Sequence, residues 1–183
     1  MPDSPDEALV AATLAGDDGA FAELVGRHKR RVFGTASRFA RDEQQLDDLA
    51  QEIFLRAFRH LGKFRGEAPF EHWLARLAVT ACYDFLRRER RVREQASLDA
   101  LPIEFHDPAP DAERSARAAR ETLALAMRQL TPDEQLIVTL CELEERTIRE
   151  VAGLTGWSEG NVKVRAFRAR ERLRKILENT DDR

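Results

Sequence analysis

Thr147–Lys175 reads TIREVAGLTGWSEGNVKVRAFRARERLRK, and the way this stretch folds organises the rest of the chain. Thr147, Ile148, Arg149 and Glu150 form a capping-box pattern, in which the Thr hydroxyl accepts from the third helical N–H and the Glu carboxylate reaches back to the cap. A short helix therefore starts there. Gly156 takes the left-handed conformation that closes it, and Ser158 supplies a second N-cap with Trp157 and Val162 placed as a hydrophobic staple. Along the second helix Val162, Ala166, Ala169 and Leu173 recur at helical spacing as a narrow buried stripe. Lys163, Arg165, Arg168, Arg170, Arg172 and Arg174 fall outside it. The pattern is a helix-turn-helix with a basic second helix.

Such a helix fits the major groove of duplex DNA, where Arg and Lys pair with guanine edges and Phe167 reaches a thymine methyl. Glu159 and Glu171 dilute the charge, so a solvated, salt-bridged helix is the alternative reading of the same residues.

With 183 residues the chain has room for one large or two small domains. Its formal net charge of −3 is low for a protein that grips duplex DNA unaided, since such binders carry an overall basic field. The cations are local. That favours a reader delivered to DNA by another molecule, or one whose acidic parts meet a different partner. Cys82 and Cys141 lie far apart on apolar helix faces and read as reduced thiols. His28, His60, His72 and His106 have no metal-ligand spacing, so no metal or cofactor is expected. No Gly-rich phosphate loop, nucleophile elbow or paired metal-binding histidines point to an enzyme. Neither a long apolar run nor a secretory leader is found, and a cytoplasmic location without membrane insertion is expected.

Upstream, Ser4-Pro5-Asp6-Glu7 reads as another capping box, opening a short helix that Gly16 closes. Asp17 or Asp18 caps a second helix with Phe21, Leu24, Val25, His28, Val32, Ala36 and Phe39 inward, His28 being a core-edge residue. Asp42 caps a third helix that buries Leu46, Leu49, Ala50, Ile53, Phe54, Ala57 and Leu61. Its outer face carries Asp47, Asp48, Gln51 and Glu52, then Leu55 and Arg56. The helix dipole accounts for the carboxylates but not for Leu55.

A loop with Lys63, Phe64, Arg65 and Gly66 leads to Pro69, which is expected in the first turn of a long helix with Trp73, Leu74, Leu77, Ala78, Ala81, Cys82 and Phe85 inward. Arg76, Thr80, Tyr83 and Arg87 occupy its other side and run into Arg88, Arg90, Arg91 and Arg93. Cations interleaved with rings suit single-stranded DNA, and an amphipathic helix with a basic end explains the stretch equally well. From Glu94 to about Ala116 acids dominate and Pro102, Pro108 and Pro110 exclude a continuous helix, so an acidic, extended linker is expected. Helix resumes near Arg117 with Leu123, Ala126, Met127 and Leu130 inward. Thr131-Pro132-Asp133-Glu134 is a third capping box, starting a helix that buries Leu136, Ile137 and Leu140, with Cys141 at its edge. The expected architecture is all-α: two small helical domains, 1–95 and 119–183, joined by a flexible acidic linker at 96–118, with the helix-turn-helix in the second.

In this order the segments resemble the extracytoplasmic-function (ECF) sigma factors of bacterial RNA polymerase. The residues that carry the resemblance are Asp47-Asp48-Leu49-Ala50-Gln51-Glu52 with Phe54 and Leu55, Phe64-Arg65-Gly66, Trp73-Leu74-Ala75-Arg76, and Asp84 with the arginine cluster. Leu130-Thr131-Pro132, Gly160-Asn161-Val162-Lys163 and Arg168-Ala169-Arg170 complete the set. The resemblance implies that Asp48, Gln51, Glu52 and Leu55 dock on the clamp helices of the largest polymerase subunit, the flap being a second polymerase contact. It implies that the loop from Phe64 and the following helix open and hold the −10 non-template strand, through Phe64, Arg65, Arg76, Thr80, Tyr83, Arg87 and Arg88. Thr80 stands where Asn is frequent. The −35 element would be read from the helix that starts at Ser158, through Ser158, Asn161, Lys163, Val164, Phe167 and Arg168, with Arg165 and Arg170 on phosphates. Val164 replaces a small polar residue, so one base contact there is apolar or lost. The linker would lie in the RNA exit path, and an anti-sigma protein is the implied inhibitory partner.

Such a protein confers promoter selectivity on core polymerase. The rivals are a stand-alone helix-turn-helix regulator, dimeric on a palindromic site, and a protein-interaction module that no longer meets DNA.

Overall fold

The computed structural model describes residues 5–96 and 111–181, all of them helix or the turns between helices. The chain divides into two compact units, Met1–Phe85 with Gly153–Gly156 and Leu86–Ala152 with Trp157–Arg183.

The first unit begins with α1 (Asp6–Leu14) and α2 (Asp18–Ala36). Pro5, not Ser4, is the N-cap of α1, and no side chain caps it; Ser4 lies outside the described residues. Asp6 lies 2.7 Å from Nε2 of His28 and accepts from Arg27 at 3.2 Å, tying α1 to α2. Gly16, at φ +100°, makes the reversal between the two helices, a conformation that a side chain would strain. Asp17 then caps α2 by accepting from Gly19 and Ala20. Asp42 accepts from Gln45 and starts α3 (Glu43–His60). Leu24, Val32, Leu49, Ile53 and Ala57 are buried as the periodicity predicts, whereas Leu46 and Phe54 are half-buried.

A single 3-10 turn, Leu61–Lys63, leads to α4 (Phe70–Ala96). Pro69 stands just before this helix rather than inside its first turn, its carbonyl accepting from His72 and Trp73. Leu74, Ala78, Ala81 and Cys82 face inward, and so do Phe70, Val79 and Leu86, which the sequence reading passed over.

In the second unit α5 (Asp111–Gln129) starts well ahead of Arg117. Pro108 and Pro110 bar a helix up to that point, but Ala112, Ala116, Ala118 and Ala119 are strong helix formers and the early carboxylates favour its positive end. The rest of the expected linker, 97–110, lies outside the described residues. Ala126 and Leu130 are buried, but Leu123 is 37% exposed and does not face inward as expected.

The Thr131 capping box is complete: its hydroxyl accepts from the Glu134 N–H at 3.3 Å, and the Glu134 carboxylate accepts from the Thr131 N–H at 2.8 Å. It starts α6 (Pro132–Val138), which widens into a π turn, Thr139–Leu143, closed by Glu145 at φ 52°. The Thr147–Glu150 box starts α7 (Ile148–Thr155) in the same way. Gly156 is left-handed, and Ser158 caps α8 (Glu159–Asp181) by accepting from Asn161. Val162, Ala166 and Ala169 seat α8 on α5 and α6, and Leu173 is half-buried. Neither Cys82 nor Cys141 is in a disulfide; the first is buried and the second half-buried.

Replacing Thr131 by Ala removes the hydroxyl that accepts from the Glu134 N–H, keeps the backbone N–H bond to the Glu134 carboxylate, and should lower stability by about 1 kcal/mol, read as a lower urea midpoint at unchanged slope.

Candidate nucleic-acid and protein interfaces

Three exposed surfaces carry the residues singled out by the sequence. The first is the outer face of α3. Asp47, Asp48 and Gln51 are exposed, and Leu55 is 42% exposed in their midst. Phe58, one turn further on, is 47% exposed and packs edge-on to Phe21 at 4.9 Å. Its position three residues after Leu55 was the available signal for an apolar extension of this face, since residues at i and i+3 are neighbours on a helix. Glu52 is different from the rest. Its carboxylate accepts from Nε of Arg56 at 2.6 Å, while another guanidinium nitrogen of Arg56 donates to Asp84 on α4, also at 2.6 Å. Burial pulls the Arg56 pKa down, but the hydrogen bonds to Asp84 and Glu52 and both negative charges outweigh it, so the net shift is upward. Arg56 therefore stitches α3 to α4, and Glu52 turns only part of its acceptor capacity outward.

The second surface runs from the loop after α3 along α4. Phe64 is half-buried, with its ring 5.5 Å from Phe70 and 5.6 Å from Trp73. Gly66, at φ +69°, turns the chain back after Arg65, whose side chain is 81% exposed and only 3.8 Å from an equally open Glu67. That pair contributes almost nothing. Arg76, Thr80, Arg87 and Arg88 are exposed and Tyr83 is half-buried; Arg76, Thr80, Tyr83 and Arg87 share one face. The Thr80 hydroxyl donates to the Arg76 carbonyl at 2.9 Å, leaving its oxygen free to accept.

The third surface is α8. Lys163, Val164, Phe167 and Arg168 form one exposed strip, with Val164 and Phe167 50% and 64% exposed. Ser158 is occupied as the cap, and Asn161 accepts from Nε of Arg165 at 2.6 Å. Arg165 also donates to Asp133 and stacks on Trp157, with its guanidinium carbon 4.4 Å from the ring centre. Arg170 is exposed but donates to Glu142 at 2.7 Å. The basic helix is thus two kinds of cation, those turned outward and those bonded to the unit beneath. Among the described residues no group of His, Cys, Asp and Glu is placed to hold a metal, and no helix is long and apolar enough to cross a membrane.

The described residues are helical and present an acidic, leucine-tipped face, an aromatic and basic face, and a helix-turn-helix. Residues 24–92 match the family model of Sigma-70 region 2, and residues 120–173 match that of Sigma-70, region 4. The chain is 33% identical over 181 residues to the RNA polymerase sigma-H factor of Pseudomonas aeruginosa, covering 94% of each. It is 34% identical to the ECF RNA polymerase sigma factor SigM of Mycobacterium tuberculosis, covering 94% of this chain and 84% of that protein. The solved structure of CnrH in complex with the cytosolic domain of CnrY matches with a TM-score of 0.60 at 25% identity, over 95% of this chain and 97% of CnrH. The chain belongs to the ECF sigma factors of bacterial RNA polymerase.

Two expectations follow from the geometry. Arg56→Gln leaves Glu52 and Asp84 without their shared cation and should cost about 1–2 kcal/mol, discounted for their partial exposure, against under about 0.5 kcal/mol for Arg65→Gln by the same urea titration. Burial and Glu142 raise the Cys141 pKa, and Arg170 opposes them. Less thiolate is therefore present at pH 8, so alkylation by iodoacetamide should be slower than for an open thiol, and slower still in Arg170→Ala.

Proposed function

We propose that this sigma factor works through three surfaces, with 1–95 and 119–183 as its functional domains and 96–118 between them. Core polymerase docks on Asp48, Gln51, Glu52 and Leu55, through its clamp helices. The exposure of Leu55 beside Asp48 and Gln51 carries this reading: a 42% exposed leucine is explained by a partner that buries it. The −10 non-template strand is held along Phe64, Arg65, Arg76, Thr80, Tyr83, Arg87 and Arg88, where bases stack on rings and the backbone follows the cations. The −35 duplex meets α8 in its major groove, with Lys163 and Arg168 offering charge-assisted bonds and Phe167 and Val164 apolar contact to thymine methyls.

Neither DNA surface needs to bind tightly by itself, because tethering through polymerase raises the local promoter concentration. The net charge of −3 then limits stray binding. The protein supplies recognition and no catalysis of its own, and acts in the cytoplasm where polymerase works. CnrH was solved with the cytosolic domain of CnrY; a protein inhibitor that covers these same surfaces is the corresponding partner here.

Run-off transcription with core polymerase and a promoter library tests the function: selective initiation above core alone is expected, and its absence rejects it. In the same assay Asp48→Lys and Leu55→Asp should each abolish capture by core, with circular dichroism unchanged. Tight binding of a palindromic duplex without polymerase would favour a stand-alone regulator instead.

A further inference from the structure

We propose that Arg165 is a positioning residue that fixes the reading angle of α8, and that it does not contact DNA phosphate. The inference rests on α8 meeting promoter duplex and goes beyond it by dividing the helix's cations into readers and anchors.

Three partners converge on one guanidinium. Nε donates to Oδ1 of Asn161 at 2.6 Å, a terminal nitrogen donates to Asp133, and the carbon sits 4.4 Å from the centre of the Trp157 ring. Each partner belongs to a different part of the unit. Asp133 is in the first turn of α6, Trp157 precedes the Ser158 cap, and Asn161 is in the first turn of α8. Arg165 thus links the start of α6, the turn before α8 and α8 itself. A planar fork satisfies all three at once, whereas an ammonium on a flexible stem cannot. The Arg165 and Asp133 side chains are 34% and 33% exposed, so their charge-assisted bond is partly shielded from water.

The neighbouring arginines are held less firmly. Arg170 and Glu142 are 52% and 43% exposed, and Arg172 lies 3.7 Å from Glu134. Lys163 and Arg168 make no ion pair among the described residues and point outward with Val164 and Phe167. To reach a phosphate, Arg165 would surrender two hydrogen bonds to oxygen and its ring contact for one new bond, whereas Lys163 and Arg168 surrender nothing. A phosphate contact also leaves a thermodynamic mark, since each neutralised phosphate changes the salt dependence of binding by about 0.9 in the logarithmic slope.

The test is binding of reconstituted holoenzyme to a promoter fork fragment across a salt series. Arg165→Ala should weaken binding about tenfold at fixed salt with the slope unchanged, whereas loss of a phosphate contact would reduce the slope by about 0.9. Arg165→Lys should fail to rescue. Asp133→Asn should weaken binding too, although removing a negative charge would tighten a purely electrostatic grip. A reduced slope in Arg165→Ala with rescue by Arg165→Lys overturns the proposal, as does wild-type binding by Arg165→Ala or Asp133→Asn. If the wild-type holoenzyme captures no promoter selectively, the functional reading of α8 fails first, and the positioning role falls with it.

Discussion

The narrowness of the apolar stripe on α8 is the constraint on which the second unit depends. Among the described residues of that helix Val162, Ala166 and Ala169 are the fully buried ones, and two of them are alanines. Small side chains let α8 lie close against α6 and leave most of its circumference outside the core. Leu136, Ile137 and Leu140 supply the bulk on the opposite side of the contact. A wider stripe would bury the very positions that carry Lys163, Val164, Phe167 and Arg168. Because so little apolar area holds the helix, its orientation needs other determinants, and the capping boxes, the left-handed Gly156 and the Arg165 fork provide them.

The first unit solves a similar problem with α3. One face closes a core through Leu49, Ile53 and Ala57 and packs on α2, and the other remains exposed. The cost of a partly buried cation is met by Arg56 having two carboxylate partners, Glu52 on its own helix and Asp84 on α4. The polar staple thereby places a residue of the acidic face and one of the basic face on the same guanidinium.

The local charge pattern matters more than the sum. Acidic residues of α3 and basic residues of α4 and α8 give local potentials of opposite sign, while the chain as a whole carries −3. Selective binding can then arise from several weak contacts joined on one large partner.

Helix count, helix type and the helix-turn-helix were legible in the residues, because caps and apolar periodicity act within a turn or two of chain and so reside in contiguous sequence. Thr131, Thr147, Asp17 and Asp42 announce helix starts whatever lies nearby. The early start of α5 was missed because prolines just upstream and acids within its first turn read as linker. The π turn at Thr139–Leu143 and the exposure of Leu123 had no comparable signal. Tertiary structure alone decided which cations are free. Arg165 meets Asp133 and Arg56 meets Asp84 across 32 and 28 residues of chain, and those pairings exist only when two helices adopt one particular register. The sequence by itself determined where basic residues lie along α8, since spacing is a property of one helix; which of them face outward depends on what the folded neighbours present to each.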